Sequence, residues 1–374
     1  MAKGLKIIIL IGAVLALAFV GINARMDKKD SKGNSVWENR NNRINIAELI
    51  DLTSIDTLQL ETDTACLIGR VAQLRVCDSG IFVVNDYPSA LYRFDWDGHF
   101  VGQIGKQGRG PGEYLAIGSM DVDEWNKEVV VFDSENCCFL RYDYTGHFLG
   151  KSENDNLPYG DMACLNDSLY VLQNYFHTSG LAGNPELLFV RQDGSLVRTD
   201  IERRGMENKN CVLPTPGGTI YWAKSGNHNY YIPAGTDLLC RLEANGRMDT
   251  VLCLGVASRL FPLDLSSQKY EEQRELGFGP LSALSVTNEG VFYLNPMYAE
   301  PLHVVGTLAG GIQIVGQFYA KDESGVGLWT PLTSYQDHFV CLETNLSGDG
   351  LNPMVIFFKY KLGQFLTGNE HTRA

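Results

Sequence analysis

Three turn glycines at a fixed spacing constrain this chain more than any other feature. Gly98, Gly146 and Gly194 fall 48 residues apart. Each sits in the same setting. Residues 92–102, 140–150 and 189–197 all read as apolar–polar alternation, a tight Asp-Gly or Thr-Gly turn, and a second alternation. Alternation marks a strand with one face buried, and glycine supplies the positive φ that short hairpins need. Residues 241–246, ending in Asn245-Gly246, give a fourth copy. A supersecondary unit repeated at this period cannot bury its apolar face alone, so neighbouring units must stack.

A fainter repeat extends the count to six. Short apolar strands recur at 82–84, 130–132, 170–172, 221–223, 292–294 and 340–342. Turns such as 78–80, 166–168, 216–218 and 288–290 precede them, and another short strand precedes each turn. One unit is therefore four antiparallel strands in roughly 40–50 residues, the size of a propeller blade. The sixth unit supplies strands at 332–335, 339–342 and 355–360, then runs into a polar tail without a fourth. At the other end, 55–60 is a strand with no unit of its own. Pairing 55–60 with 355–358 would close the ring and remove a free edge. The expected fold is all-β: a six-bladed β-propeller of four-stranded antiparallel blades, closed by an N-terminal velcro strand. One insertion interrupts the rhythm between Leu254 and Pro280, with a short helix expected over 266–276 from Ser266.

The ends of the chain set its organisation. Lys3 and Lys6 precede an uncharged run from Ile7 to Ala24, with Arg25, Lys28 and Lys29 beyond it. A basic start and apolar core make a signal peptide, and the length approaches that of a spanning helix. The expectation is export, with 1–25 as cleaved signal or membrane anchor, so that the propeller is periplasmic or in the cell envelope. No cysteine follows the run, so a lipid anchor is not expected. Residues 26–45 are polar and read as a linker. The propeller is expected over 46–361, and 362–374 as a polar tail.

Composition narrows the partners. The net charge is −13, and no basic groove is apparent, so a nucleic-acid partner is not expected. Nine cysteines, an odd number without CxxC spacing, read mainly as buried thiols rather than a metal or disulfide framework.

The segment 104–114, with Gly105, Gly108, Gly110, Pro111, Gly112 and Glu113, resembles the glycine-rich inter-blade loop of NHL-type propellers. Residues 50–361 as a whole resemble the exported six-bladed propellers, NHL-like and TolB-like, of Gram-negative gut bacteria. The resemblance implies a propeller outside the cytoplasm, in a family mostly without assigned activity. It also implies a ligand face formed by the loops after each second strand. The residues ending the aligned second strands are Asn85, Asp133, Gln173, Lys224, Asn295 and Glu343. All are polar, which predicts a ring at the channel mouth, with Arg109 and Glu113 as further contacts.

No nucleophile motif is present: Gly-x-Ser-x-Gly is absent, and the glycine-rich loop lacks a Gly-Lys-Ser/Thr ending. The histidines share no blade position; His99 and His147 follow outer turns. No catalytic residue, metal ligand or cofactor is therefore expected. The expected function is non-enzymatic binding or scaffolding near a membrane, for an unidentified protein, peptide or small molecule. The alternative is a calcium-dependent lactonase-like hydrolase, for which Asn85, Asp133, Asn295 and Glu343 would supply oxygens; Lys224 opposes a cation in the same ring.

Overall fold

A computed structural model of the chain describes residues 44–152, 160–174, 185–202, 222–233, 238–254, 281–296, 303–317, 329–343 and 350–362. The expected signal or anchor, most of the linker, the helix at 266–276 and the end of the tail lie outside these residues.

Six antiparallel sheets follow one another along the chain. Blade 1 runs Val71–Cys77, Gly80–Asn85, Ala90–Phe94, Phe100–Gln103, and blade 2 runs Ile117–Asp123, Glu128–Asp133, Cys138–Asp143, Phe148–Lys151. Blades 3 to 5 begin at Met162–Cys164, Trp222–Ser225 and Leu281–Val286. Blade 6 comprises Thr333–Tyr335, His338–Glu343 and Met354–Phe358, with Asp56–Gln59 as its outer strand. That outer strand pairs antiparallel with the last, Asp56 opposite Phe357 and Gln59 opposite Met354. Ile44–Asn45 adds in parallel to the outer strand of blade 5, Gly311–Gln317. The first strands of the blades contact one another and line the central channel.

Apolar residues from adjacent blades interleave. Phe82, Val84 and Leu91 of blade 1 form one cluster with Met120, Val129 and Leu140 of blade 2. Val340, Val355 and Phe357 of blade 6 join Leu74, Val83 and Phe94 of blade 1. Ring closure is reinforced at this last seam. Trp96 packs tilted against Tyr335 with ring centroids 4.8 Å apart, and its Nε1 donates to the Asp78 carbonyl at 3.2 Å. Asn352 ties the N-terminal segment to blade 6: its Nδ2 donates to the carbonyls of Glu61 and Cys66, and its Oδ1 accepts from the Ile68 amide.

The repeated turn glycine serves a second purpose. Gly98 has φ +82°, and a Cβ there would lie 2.3 Å from the carbonyl oxygen of Gln59 in the preceding blade. At Gly146, φ is +84° and the same clash, 2.6 Å, falls on Gln103. The outer hairpins of blades 1 and 2 thus abut their neighbours' edges, where only glycine meets both demands.

Phe94 and Tyr142 are fully buried between blades, whereas Trp96 stands on the turn and is partly exposed. Cys66, Cys164, Cys240 and Cys341 are buried thiols. Among the described residues no helix is long and apolar enough to cross a membrane.

Candidate functional site

The polar ring expected from the second strands does not form as a single ring. Asn85, Asp133, Gln173, Asn295 and Glu343 do end or nearly end second strands. Lys224 does not: Trp222–Ser225 is the first strand of blade 4, and the second is His228–Tyr231. The hydropathy cue does not separate the two strands of this blade, with Trp222 and Ala223 apolar on the first and Tyr230 and Tyr231 on the second. Lys224 therefore sits beside the hairpin turn at 226–227, at the opposite end of the channel from the other five.

At the far end, Asn85 and Asp133 brace their own loops. The Asn85 Oδ1 accepts from the amides of Gly69 and Arg70 at 2.9 and 3.2 Å, and its Nδ2 donates to Pro88 O at 2.8 Å. The Asp133 carboxylate accepts from the amides of Leu115, Ala116, Glu135 and Asn136, and from Asn136 Nδ2 at 2.7 Å. Gln173 donates to the Tyr231 hydroxyl at 3.2 Å, and Asn295 reaches the Tyr293 hydroxyl. Burial raises the carboxyl pKa of Glu343.

Arg109 and Glu113 lie elsewhere again, on the flank of blade 2. Glu113 accepts from the Gly110 amide at 2.7 Å and pairs with Lys106 at 2.9 Å, so it braces its own glycine-rich loop. That pairing and the surrounding hydrogen bonds hold its carboxyl below the usual range. Arg109 is exposed beside a cavity of about 490 Å³ walled by Leu140, Phe148 and Lys151.

The channel end that carries Lys224 is different in kind. Three charged side chains from three blades meet there. Asp121, fully buried on the first strand of blade 2, receives the Arg75 Nε of blade 1 at 3.2 Å on one oxygen. Its other oxygen accepts the Cys164 amide of blade 3 at 2.8 Å and lies 3.4 Å from the Lys224 Nζ of blade 4. Lys224 also donates to Val122 O at 3.0 Å, and its ammonium stands 5.6 Å from the Trp125 ring. Burial pushes the Asp121 carboxyl up, but Lys224, Arg75 and the amides of Cys164 and Val122 outweigh it and hold the pKa below the usual value. Burial likewise works against the charge on Lys224, and Asp121, together with Cys164 and Glu124, more than restores it. The Cys164 thiol is driven well up by burial and by Asp121.

This trio floors a cavity of about 300 Å³ at the channel mouth. Asp78, Glu124, Asn227, Asn288, Tyr335 and Gln336 stand around it. The Tyr335 hydroxyl donates to Asp78 at 2.8 Å. Desolvation raises the Glu124 carboxyl, and Asp78 and Asp121 add to the shift against the pull of Lys224. Arg75 is only 5% exposed. Its Nε is engaged, yet neither Nη donates to anything among the described residues, and the side chain lines the cavity.

Of this site, sequence reasoning named Lys224 alone, and on the wrong strand. Arg75 and Asp121 were legible only as polar residues on strands whose neighbours are apolar. A buried-strand residue with a full charge was the available signal.

The model of one family matches residues 34–289, more than half of the chain. The chain belongs to the DUF4934 family, a domain of unknown function. No curated protein matches the chain. Among solved structures, a Bacteroides fragilis NCTC 9343 protein classed as exported superposes with a TM-score of 0.63 at 16% identity, covering 85% of this chain and 97% of that one. A member of the DUF4221 family from Bacteroides vulgatus ATCC 8482 gives 0.54 at 11% identity, covering 83% and 99%. At these identities the likeness is one of fold. The six successive sheets make this DUF4934 chain a six-bladed β-propeller.

Proposed function

We propose that the protein is a non-enzymatic binding propeller whose ligand seat is the channel mouth floored by Arg75, Asp121 and Lys224. The observation that carries this is Arg75, whose Nε is held by Asp121 while its Nη donors bond no described residue and the side chain lines the cavity. Ligand seats are made by a few polar groups placed at the wall of a concave cavity, and donors left over there are available to a ligand. The cavity volume lies at the lower end of the range for small-ligand sites.

The groups that could do chemistry there are held in quiet states. Asp121 is ionised and enclosed by donors, so it is a poor general base. Lys224 keeps its proton and cannot act as a nucleophile. The Cys164 thiol has no thiolate character at neutral pH. The calcium-dependent alternative gains no support from the candidate oxygens. Asp133 and Asn85 spend theirs on backbone amides, and Asp121 has a cation on each side.

Display outside the cytoplasm belongs to the same proposal. Its support is the basic–apolar start of the chain and the fold shared with the exported Bacteroides fragilis protein. That segment would also bring the propeller to a membrane. Sodium carbonate extraction and the mass of the mature N-terminus distinguish an anchored chain from a cleaved one. A full-length chain recovered wholly in the cytoplasm would refute export.

For binding, thermal-shift screening of neutral, anionic, cationic and zwitterionic small molecules is compared between the wild type and Asn227→Trp, which fills the mouth. Hits should stabilise the wild type only and be recovered chemically unchanged. Equal stabilisation of both proteins, or turnover of a hit, overturns the proposal.

A further inference from the structure

The charges around the mouth are not mixed at random; they are layered. The floor carries Arg75 and Lys224 against the single carboxylate of Asp121, a net charge of one positive. The rim carries Asp78 and Glu124, two carboxylates, with the Tyr335 hydroxyl already committed to Asp78.

Each layer calls for an opposite partner. A net positive charge buried beneath the mouth is costly unless an anion completes it. The Arg75 guanidinium offers its Nη donors as a planar fork, the geometry that matches a carboxylate in bidentate fashion. Lys224 uses two of its three donors, on Asp121 and Val122, which leaves one. At the rim the demand is reversed, because two carboxylates share one wall. A cation placed between them relieves their mutual repulsion.

Resting on the reading of the mouth as a ligand seat, we propose that its ligand is a small zwitterion of amino-acid size, with its carboxylate on Arg75 and Lys224 and its protonated amine at Asp78 and Glu124. A phosphate or sulfate dianion satisfies the floor but is repelled by the rim. A simple amine satisfies the rim but leaves the Arg75 fork open. The cavity of about 300 Å³ accommodates a free amino acid and is small for a folded partner.

The test is calorimetry on the full chain with free L-amino acids, each beside its N-acetyl and carboxamide derivatives, and with acetate, methylamine and inorganic phosphate as controls. At least one free amino acid should bind, and capping either end should weaken it at least tenfold. Glu124→Gln lies on the exposed rim and leaves the fold intact. It should weaken the free amino acid about tenfold while abolishing the preference over the N-acetyl form. Arg75→Lys keeps a cation beside Asp121 but removes the fork, and should weaken both forms. Absence of binding by every amino acid overturns the inference, as does equal binding of the capped forms or of phosphate. If uncharged molecules stabilise the wild type and not Asn227→Trp, the seat stands and only the zwitterion fails.

Discussion

The two ends of the channel use polar residues for different ends. At the far end, Asn85 and Asp133 bond to residues within about twenty positions in sequence, and their polarity is consumed by the loops that lead into their own blades. At the mouth, Asp121 is bonded to residues 46, 43 and 103 positions away, in blades 1, 3 and 4. The first kind of network shapes a single blade. The second exists only when the ring is closed, and it leaves donors over. Polarity at a strand end is therefore weak evidence for a ligand site, and charges from several blades converging on a cavity with donors to spare are stronger evidence.

The largest effect should come from opening the ring. Deleting residues 46–62 removes the outer strand of blade 6 together with buried Leu49, Ile50 and Leu60. The melting temperature should fall markedly and ligand binding at the mouth should vanish. Amide protection at Leu115 and Ala116, which depends on blade 2 alone, should outlast it. A truncated protein as stable as its parent rules out this account of closure.

Next in size is Asp121→Ala, which leaves two buried cations uncompensated and should cost about 3–5 kcal/mol in urea unfolding. Adding Lys224→Met to that variant should restore part of the loss, because one of the stranded charges is removed. If the double variant is less stable than the single, the trio is not the electrostatic unit described above.

The ends should also separate by pH. His303, at the far end against the Tyr293 hydroxyl, is buried, and desolvation lowers its pKa to about 4. The unfolded chain takes up this proton near pH 6.5 and the folded protein only near 4. The stability is thus fully present above about pH 6.5 and is lost as pH falls towards 4, by about 3 kcal/mol at most. Asp121, whose pKa is lowered, contributes its loss only below the ordinary aspartate range. Unfolding free energies at pH 7 and 4.5 should therefore differ in the wild type and differ much less in His303→Gln. An unchanged slope in the variant would assign the acid sensitivity elsewhere.

The smallest effect expected is that of Asp133→Asn. It keeps the shape but turns a donor towards amides that need an acceptor, for about 1–2 kcal/mol of stability. Affinity at the mouth should be unaltered. A matching loss of affinity would mean that the two ends communicate through blade 2.

Much of the blade architecture was legible beforehand because its causes are local. Gly98 and Gly146 are turn glycines whose φ demands are written in the hairpin itself, and alternation around them marks the buried face. The pairing of 55–60 with 355–358 could be inferred because a missing strand and a spare one are both visible in the sequence. In blade 4 both strands of the first hairpin carry two apolar residues, so hydropathy alone could not tell the first from the second, and Lys224 falls at the other end.

By itself, then, the sequence determined an all-β ring of six repeated units and the turn chemistry of each unit, since these depend on φ preference and two-residue periodicity over a few neighbours. Only the tertiary structure decided that Arg75, Asp121 and Lys224 converge. Nothing in their spacing marks them as partners, because their meeting depends on how far each blade is rotated about the channel axis. That rotation is set by the packing of whole sheets against one another, and side-chain clusters from three of them bring the charges within reach.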